Sequence, residues 1–276
     1  MTTKFIISFI CVSLLSLFTC ENTGRIKKLE KFNQDLPFID STDFVQCAVK
    51  YKNDLYDNNS FLLFKLNVVY IMPLSLANVI ESNELKDSTI TTVLNTAFKS
   101  QGIGFEIYQT STSYADLSLN EFAYHYQEYE EKDMLTILVY KPSEDARYSG
   151  IAAGIPSVIL GISEDKIGTS TLPHEAGHAL GLKHIFEKDD TDGKNSHSGD
   201  NICDTGSFNI MDNKTVGCAY VGKPLYSKED LEILIPNYLN YNSEPIDCRD
   251  TFTPIQILAI RWHIENYPAL YSALVY

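Results

Sequence analysis

The chain has 276 residues and a formal net charge of −14, because 36 acidic side chains outnumber 22 basic ones. A negative charge of this size repels phosphate backbones and anionic lipid surfaces. It therefore argues against nucleic acid as a partner and against a basic membrane-binding face. The length suits one domain preceded by a short leader.

The first twenty residues, MTTKFIISFICVSLLSLFTC, have the composition of an export signal. One lysine precedes an apolar run that is too short to anchor the chain stably across a membrane. The end of the run loosely resembles a bacterial lipobox, in which Cys20 would carry the lipid. We therefore expect a secreted or cell-envelope protein, and both lipidation of Cys20 and plain secretion stay open. Residues 21–60 are polar and predict a leader, a linker or a short pro-segment before a folded domain over residues 61–276.

The next segments alternate between apolar strand patterns and one helix. Residues 61–72 predict a buried strand, and residues 83–100 predict a helix because apolar residues recur at helical spacing. Residues 105–110 and 134–140 predict two more strands, and Ser157–Leu160 predicts an edge strand.

Two helical patterns dominate the second half. Residues 170–181 predict a histidine-rich helix, and the polar loop 187–201 follows it. Thr253 and Gln256 form a capping-box pattern around Pro254, which predicts the start of a final, mostly apolar helix. This order of elements predicts an α/β fold with a twisted sheet and two helices behind it.

The stretch HEAGHALGLKH, which begins at His174, has the spacing of a catalytic zinc site. His174 and His178 lie one turn apart on one helix face, so both imidazoles can reach one ion. Gly181 permits the left-handed turn that ends a helix and can return His184 to the same ion. Three neutral nitrogen ligands leave the fourth position open, and Glu175 can reach a water there without being a ligand.

Simpler interpretations compete with this one. Incidental histidines on an ordinary helix would not match five residue types at fixed offsets, and a purely structural zinc would leave Glu175 without a role. A shorter zinc motif takes a downstream glutamate as its third ligand, for which Glu229 and Glu232 are available. Gly181 and His184 lie at the offsets from His178 that the three-histidine site requires, and therefore favour that site.

The full spacing H-E-x-x-H-x-x-G-x-x-H resembles the zinc signature of the metzincin metallopeptidases. Similarity to the pappalysin, or cytophagalysin, branch covers most of residues 130–265; it is carried by LTILVY, GIAAGIP, TLPHEAGHALGLKHIF, SGDNICDT, NIMDN and CRDTFTPIQILAIR. The resemblance implies a metzincin-like fold, in which a twisted mixed sheet and two long helices lie above the substrate cleft. An irregular lower subdomain with a C-terminal helix lies below the cleft.

The resemblance also implies an activity. The chain would be an exported, monomeric zinc endopeptidase that hydrolyses peptide bonds of protein or peptide substrates. Zinc held by His174, His178 and His184 would activate a water, and Glu175 would act as general base. The alternative is a catalytically weak or inactive cell-surface binding lipoprotein on the same fold.

Metzincins carry a methionine turn beneath the zinc, and NIMDN predicts Met211 for it. The chain departs from the family around this turn. The tyrosine that often follows the methionine by two residues is Asn213 here, and the 36 residues between Met211 and Cys248 imply an insertion around residues 220–245. The stretch KTVGC also lacks the acidic residue that in some members favours Arg or Lys after the cut bond.

Two further features follow from the resemblance. It suggests calcium in the loop after the zinc helix, with Asp200 and Asp204 as candidate ligands; a solvated acidic loop is the alternative.

The resemblance also places disulfides around the predicted methionine turn, where Cys203, Cys218 and Cys248 lie. Together with Cys47 they make an even count, which favours disulfides in an exported chain. The pairing stays open, and Cys47 could instead be a thiol that blocks the open zinc position in a proenzyme.

Overall fold

The computed structural model describes residues 60–78, 83–186, 226–241 and 248–276, together with short stretches at 200, 202, 204–205, 215–216 and 218–221. These residues belong to one compact unit, Tyr51–Tyr276. Several predicted features lie outside the described residues: the signal sequence with Cys20, nearly all of the leader, Cys47, Cys203, Met211 and Asn213.

A five-stranded mixed sheet forms the centre of the unit. Its strands are β1 (Leu62–Met72), β2 (Ile103–Tyr114), β3 (Leu135–Tyr140), β4 (Gly150–Ala152) and β5 (Ile159–Ser163). Their spatial order is β2-β1-β3-β5-β4; the first four are parallel, and β4 pairs antiparallel with β5. The three strands predicted before residue 141 are confirmed.

The prediction of an edge strand at Ser157–Leu160 is wrong. The strand begins at Ile159 and pairs on both sides, with β3 and with β4. All five of its residues are buried, as suits an interior strand. The edge strand next to β5 is β4. Its three half-buried residues are too few to give a strand pattern in the sequence.

Two helices cover one face of the sheet, as predicted. Helix α1 (Glu84–Phe98) packs against β2, and α3 (Thr171–Ala179) packs against β4 and β5. The two helices also contact each other. A short helix, α2 (Phe122–His125), lies between them in the sequence.

The inner strands of the sheet are buried on both faces, as β1 illustrates. The Tyr70 hydroxyl donates to Asp87 of α1 at 2.7 Å. The neighbouring Val69 and Ile71 belong to a buried cluster with Phe122 of α2. Successive strand residues point to opposite faces, so α1 and α2 lie on opposite sides of the sheet. This explains why β1, β3 and β5 are nearly continuous apolar runs in the sequence.

The rest of the described chain is a small hairpin and three helices: β6 (Thr215–Val216), β7 (Ala219–Tyr220), α4 (Lys228–Leu234), α5 (Pro254–Asn266) and α6 (Pro268–Ser272). The predicted capping box begins α5, since Thr253 N–H donates to Gln256 Oε1 at 2.8 Å and Gln256 N–H donates to Thr253 Oγ1 at 3.3 Å. Arg261 of α5 donates to the carbonyl oxygens of Gln101 and Gly102, which ties this helix to the start of β2. None of the described helices has the length and apolar character needed to cross a lipid bilayer.

Candidate metal centre

Three imidazoles meet at the end of α3. His174 and His178 are 4% and 5% exposed, and their Nε2 atoms lie 3.1 Å apart. The Nε2 atom of His184 lies 3.1 Å from that of His178 and 3.3 Å from that of His174. Three nitrogens held about 2.0–2.1 Å from one ion in tetrahedral directions would be separated by about 3.4 Å. The group could therefore hold a metal ion, as its spacing in the sequence predicted.

A left-handed glycine brings the third histidine to the other two. Gly181 has φ +101°, and its N–H donates to the His178 carbonyl at 2.9 Å. The N–H of Leu182 donates to the Gly177 carbonyl at 2.9 Å, which completes a helix end of the left-handed type. A Cβ on Gly181 would overlap the imidazole of His263. Conformation and space both require glycine at this position.

Backbone carbonyls set the tautomer of two of the histidines. His174 Nδ1 lies 2.6 Å from the Tyr238 carbonyl oxygen, and His178 Nδ1 lies 2.7 Å from that of Leu182. A carbonyl oxygen can only accept, so each Nδ1 carries the proton. The lone pair of each Nε2 then points towards the centre, which is the orientation that a metal ligand needs.

The protonation state also suits a metal. Burial, and then the charges of His178, His184 and Arg249, hold the pKa of His174 well below its usual value. Burial lowers the pKa of His184 to about 4. Both side chains are therefore neutral at physiological pH, and neutral imidazole is the form that binds metal ions.

Glu175 lies between α3 and the edge strand. Its side chain is 7% exposed, and it accepts a hydrogen bond from the Ala152 N–H of β4. Burial raises the pKa of Glu175 to about 8, although Arg249 and this hydrogen bond act in the opposite direction. A Cβ on Gly150 would lie 2.5 Å from Glu175 Cγ, so a side chain at that position would displace the glutamate.

A turn formed by residues 237–241 packs against the histidines. Tyr238 supplies the carbonyl that binds His174. Leu239 is fully buried, and its side chain lies 3.0 Å from where a Cβ on Gly177 of α3 would be. Leu239 therefore packs against α3 at Gly177, together with Phe252, whose ring lies 3.1 Å from the same point.

The same turn places an aromatic ring at the site. The ring centroid of Tyr241 lies 4.7 Å from that of His184 and 5.7 Å from that of His174. The Tyr241 N–H donates to Asn240 Oδ1 at 2.8 Å, and the Asn240 amide donates to the Leu234 carbonyl at 2.7 Å. Sequence analysis assigned this segment to an insertion and missed its role. The signal was NYLNY shortly before CRDTF; the methionine turn was predicted instead at Met211, which lies outside the described residues.

A cavity of about 650 Å³ opens over these residues. Its wall includes the three histidines, Glu175, β4, Tyr241 and Arg249. A space of this size, with a metal-binding group and one buried carboxyl on its wall, suits the hydrolysis of a bound polymer segment.

Residues 158–265 match the family model described as Pregnancy-associated plasma protein-A, the model of the pappalysins. Over these residues the chain is similar to the pappalysin family. It is a zinc metalloendopeptidase, and the three-histidine group is the candidate site for its zinc.

A solved structure agrees with this fold. Mature mirolysin from Tannerella forsythia, in complex with a cleaved peptide, is similar with a TM-score of 0.58 and 18% identity, over 79% of this chain and 97% of mirolysin. This likeness confirms the predicted metzincin-like α/β fold. Metalloproteinase-II from Bacteroides fragilis matches with a TM-score of 0.30 and 13% identity, over 60% of this chain and 62% of that one. No curated protein matches the sequence.

The glutamates considered as alternative third ligands lie elsewhere in the fold. Glu229 and Glu232 belong to α4, and Glu232 lies 3.5 Å from Lys228 Nζ. Within the described ranges, the group with metal-binding geometry contains histidines only.

The two candidate calcium ligands bind protein donors. Asp200 accepts from Thr205 Oγ1 at 2.9 Å and from the Ile202 N–H at 3.0 Å. Asp204 accepts from Thr253 Oγ1 at 2.6 Å and from the Ile255 N–H at 2.9 Å, at the start of α5. Both carboxyls are buried; the contacts of Asp200 lie within the loop, and those of Asp204 join the loop to the helix.

One disulfide is formed in the described part of the chain. Cys218 and Cys248 are bonded, with their Cα atoms 5.5 Å apart. Disulfide formation is therefore confirmed for this pair of candidates. The bond spans the turn 237–241 that supports the histidines.

Proposed function

We propose that this protein is an exported endopeptidase in which His174, His178 and His184 bind the zinc and Glu175 is the general base. The observation that carries the proposal is the convergence of three Nε2 atoms, 3.1–3.3 Å apart, on a cavity wall that also holds Glu175.

Proton transfer is the part of the reaction that falls to Glu175. Zinc, when bound, supplies a Lewis acid that polarises the scissile carbonyl and lowers the pKa of water. The ionised Glu175 takes a proton from the attacking water, and the resulting carboxylic acid returns it to the amine of the leaving product. A carboxyl whose pKa burial raises to about 8 can serve in both forms near neutral pH.

The edge strand supports binding of an extended peptide. Strand β4 is the last strand of the sheet on the side of the cavity. An unpaired strand edge offers main-chain donors and acceptors to a further strand. Gly150 has no side chain between this edge and Glu175, so a peptide bond can come close to the base.

Tyr241 completes the wall next to the histidines in this proposal. Its ring contacts His174 and His184, and the residue is 48% exposed. Leu239 and Tyr241 have the two-residue spacing that the family resemblance gives to the methionine and the tyrosine near the transition state. This favours an active enzyme over an inactive binding lipoprotein, since that alternative depended on Asn213 and on an insertion of unknown role.

The remaining parts of the proposal depend on the sequence. The N-terminal twenty residues support export, with lipidation at Cys20 or plain secretion. Calcium at Asp200 and Asp204 stays a prediction from the family resemblance, and the protein donors around both carboxyls support a structural role for them.

The test is a substitution that removes the base and leaves the metal ligands. Glu175→Gln should retain one zinc per chain by metal analysis and lose about 10²–10⁴-fold in kcat on denatured casein or a quenched peptide. Glu229→Gln makes the same chemical change on α4 and should leave kcat unchanged. Full activity of Glu175→Gln with bound zinc would overturn the assignment.

A further inference from the structure

The third histidine of the metal centre lies in a different setting from the first two. His174 and His178 stand on α3 and are almost fully buried, whereas His184 follows the helix end and is only half-buried. An imidazole turns broadly about its χ2 bond, so contacts with other residues decide the plane of its ring. A metal ion binds in that plane, because the lone pair of Nε2 lies there. The side chains that pack against His184 therefore help to decide whether it can bind the ion.

The ring of Phe186 lies nearly parallel to the ring of His184. The two centroids are 4.8 Å apart, and the angle between the planes is 9°. Stacked rings at this separation attract each other, and the contact restricts the rotation of both. Phe186 is 6% exposed, so the contact is shielded from water. An imidazole that binds a metal ion carries part of the positive charge of the ion, which strengthens its attraction to the face of the phenyl ring.

The Phe186 ring also contacts Tyr241. Their centroids are 4.8 Å apart at an angle of 56°, and the ring of Tyr241 lies 4.7 Å from that of His184 at an angle of 65°. The three rings therefore contact one another pairwise. The backbone joins the same two stretches of chain, since the Ile185 N–H donates to the Leu239 carbonyl at 3.4 Å. The segment that carries His184 is thus attached to the turn that carries Tyr241, and Phe186 contacts both.

We infer that Phe186 is a positioning residue of the metal centre: its ring fixes the plane of the third zinc ligand, His184, and sets the place of Tyr241 beside it. The inference rests on the proposed function and gives a role to a side chain that binds neither metal nor substrate. His174 and His178 are oriented by backbone carbonyls, which remain when a side chain is substituted. The contact of His184 with Phe186 is between side chains, so a substitution can remove it.

The test removes the ring and keeps an apolar side chain. In the full chain, Phe186→Leu should raise the Kd for zinc about two- to tenfold, which is the contribution expected of one aromatic pair. Competition with a chromogenic chelator measures this Kd. Phe186→Tyr keeps the ring and should bind zinc within about twofold of the wild type. The visible absorption of the cobalt-loaded chain depends on ligand geometry, and it should change in the leucine variant but not in the tyrosine variant.

Phe122→Leu is the matched control for the loss of a buried, stacked ring. Phe122 stacks on Tyr126, with centroids 5.4 Å apart and planes at 22°, on the face of the sheet opposite to α1 and α3. This variant should lose stability in urea but keep the zinc Kd and the cobalt spectrum of the wild type. An equal rise of the zinc Kd in both leucine variants would overturn the inference, as would an unchanged zinc Kd in Phe186→Leu.

Kinetics with saturating zinc separate this inference from the proposed function. Phe186→Leu should lower kcat on a quenched peptide with little change in KM, because Tyr241 loses the neighbour that sets its place. The metal-binding results support the inference even if the wild type cuts no peptide, a result that would overturn only the proposed function. Cutting through Glu175 by the wild type, with unchanged zinc Kd and kcat in Phe186→Leu, would overturn only the inference.

Discussion

At the scale of single residues, Tyr241 is the side chain whose role the sequence left open. Its ring lies 4.7 Å from that of His184, and the turn that carries it is held by the buried Asn240. A hydroxyl at this position can donate to the oxygen of the scissile carbonyl as negative charge develops on it.

Tyr241→Phe removes that hydroxyl and keeps the ring. We expect kcat to fall about 10- to 100-fold with little change in KM or zinc content, because the donor acts on the transition state. Steady-state kinetics with a quenched peptide measure this, and Tyr124→Phe, at a residue 82% exposed, is the control. An unchanged kcat would show that the tyrosine only packs against the histidines.

The residues that bind the metal could be predicted from the sequence, and the turn beneath them could not. His174, Glu175 and His178 are spaced by helix geometry, and Gly181 signals the turn to His184, so every relation is local. Leu239 contacts α3 from 62 residues beyond Gly177, and the stretch NYLNY around it does not show which helix the turn meets. The methionine turn was predicted at Met211, whereas the packing against α3 at position 239 only requires an apolar side chain of similar volume to methionine.

At the scale of secondary-structure elements, the end of α3 decides whether three histidines can meet. Gly181 stands at φ +101°, in contact with His263 of α5. The helix end and the C-terminal helix therefore have to fit each other for the metal centre to form.

Gly181→Ala should destabilise this fit. We expect a loss of about 1–3 kcal/mol in the free energy of unfolding and weaker zinc binding, because alanine is strained at positive φ and its Cβ would overlap His263. Urea unfolding and zinc titration measure the two effects. Gly168→Ala is the matched control, since its Cβ would meet only Thr89 Cγ2, at 3.6 Å. Equal stability of the two variants would contradict the proposed constraint.

Strand patterns predicted the interior of the sheet better than its edge. Strands β1 and β3 are nearly all buried, so their composition alone marks them. Strand β4 has three residues and owes its place to pairing with β5 and to contact with α3, both of which are long-range. The element that would hold a peptide is therefore the one that the sequence did not reveal.

At the scale of the whole molecule, one covalent bond links the chain on either side of the turn 237–241. Cys218 and Cys248 are 30 residues apart in the sequence. Their bond joins the small hairpin that ends with β7 to the residue before Arg249. It therefore restrains the approach to two parts of the site, the turn and the arginine.

Replacing both cysteines should weaken the fold and the site together. Closing a loop of this length contributes about 2–4 kcal/mol by restricting the unfolded chain. We therefore expect the double variant Cys218→Ala and Cys248→Ala to unfold at lower urea concentration than the wild type. Zinc affinity should fall as well, because Tyr238 of the enclosed turn holds His174. The double variant is more informative than a reducing agent, since it leaves Cys47 and Cys203 unchanged. Lower stability with unaltered zinc affinity would show that the turn is held by Asn240 and Leu239 without help from the disulfide.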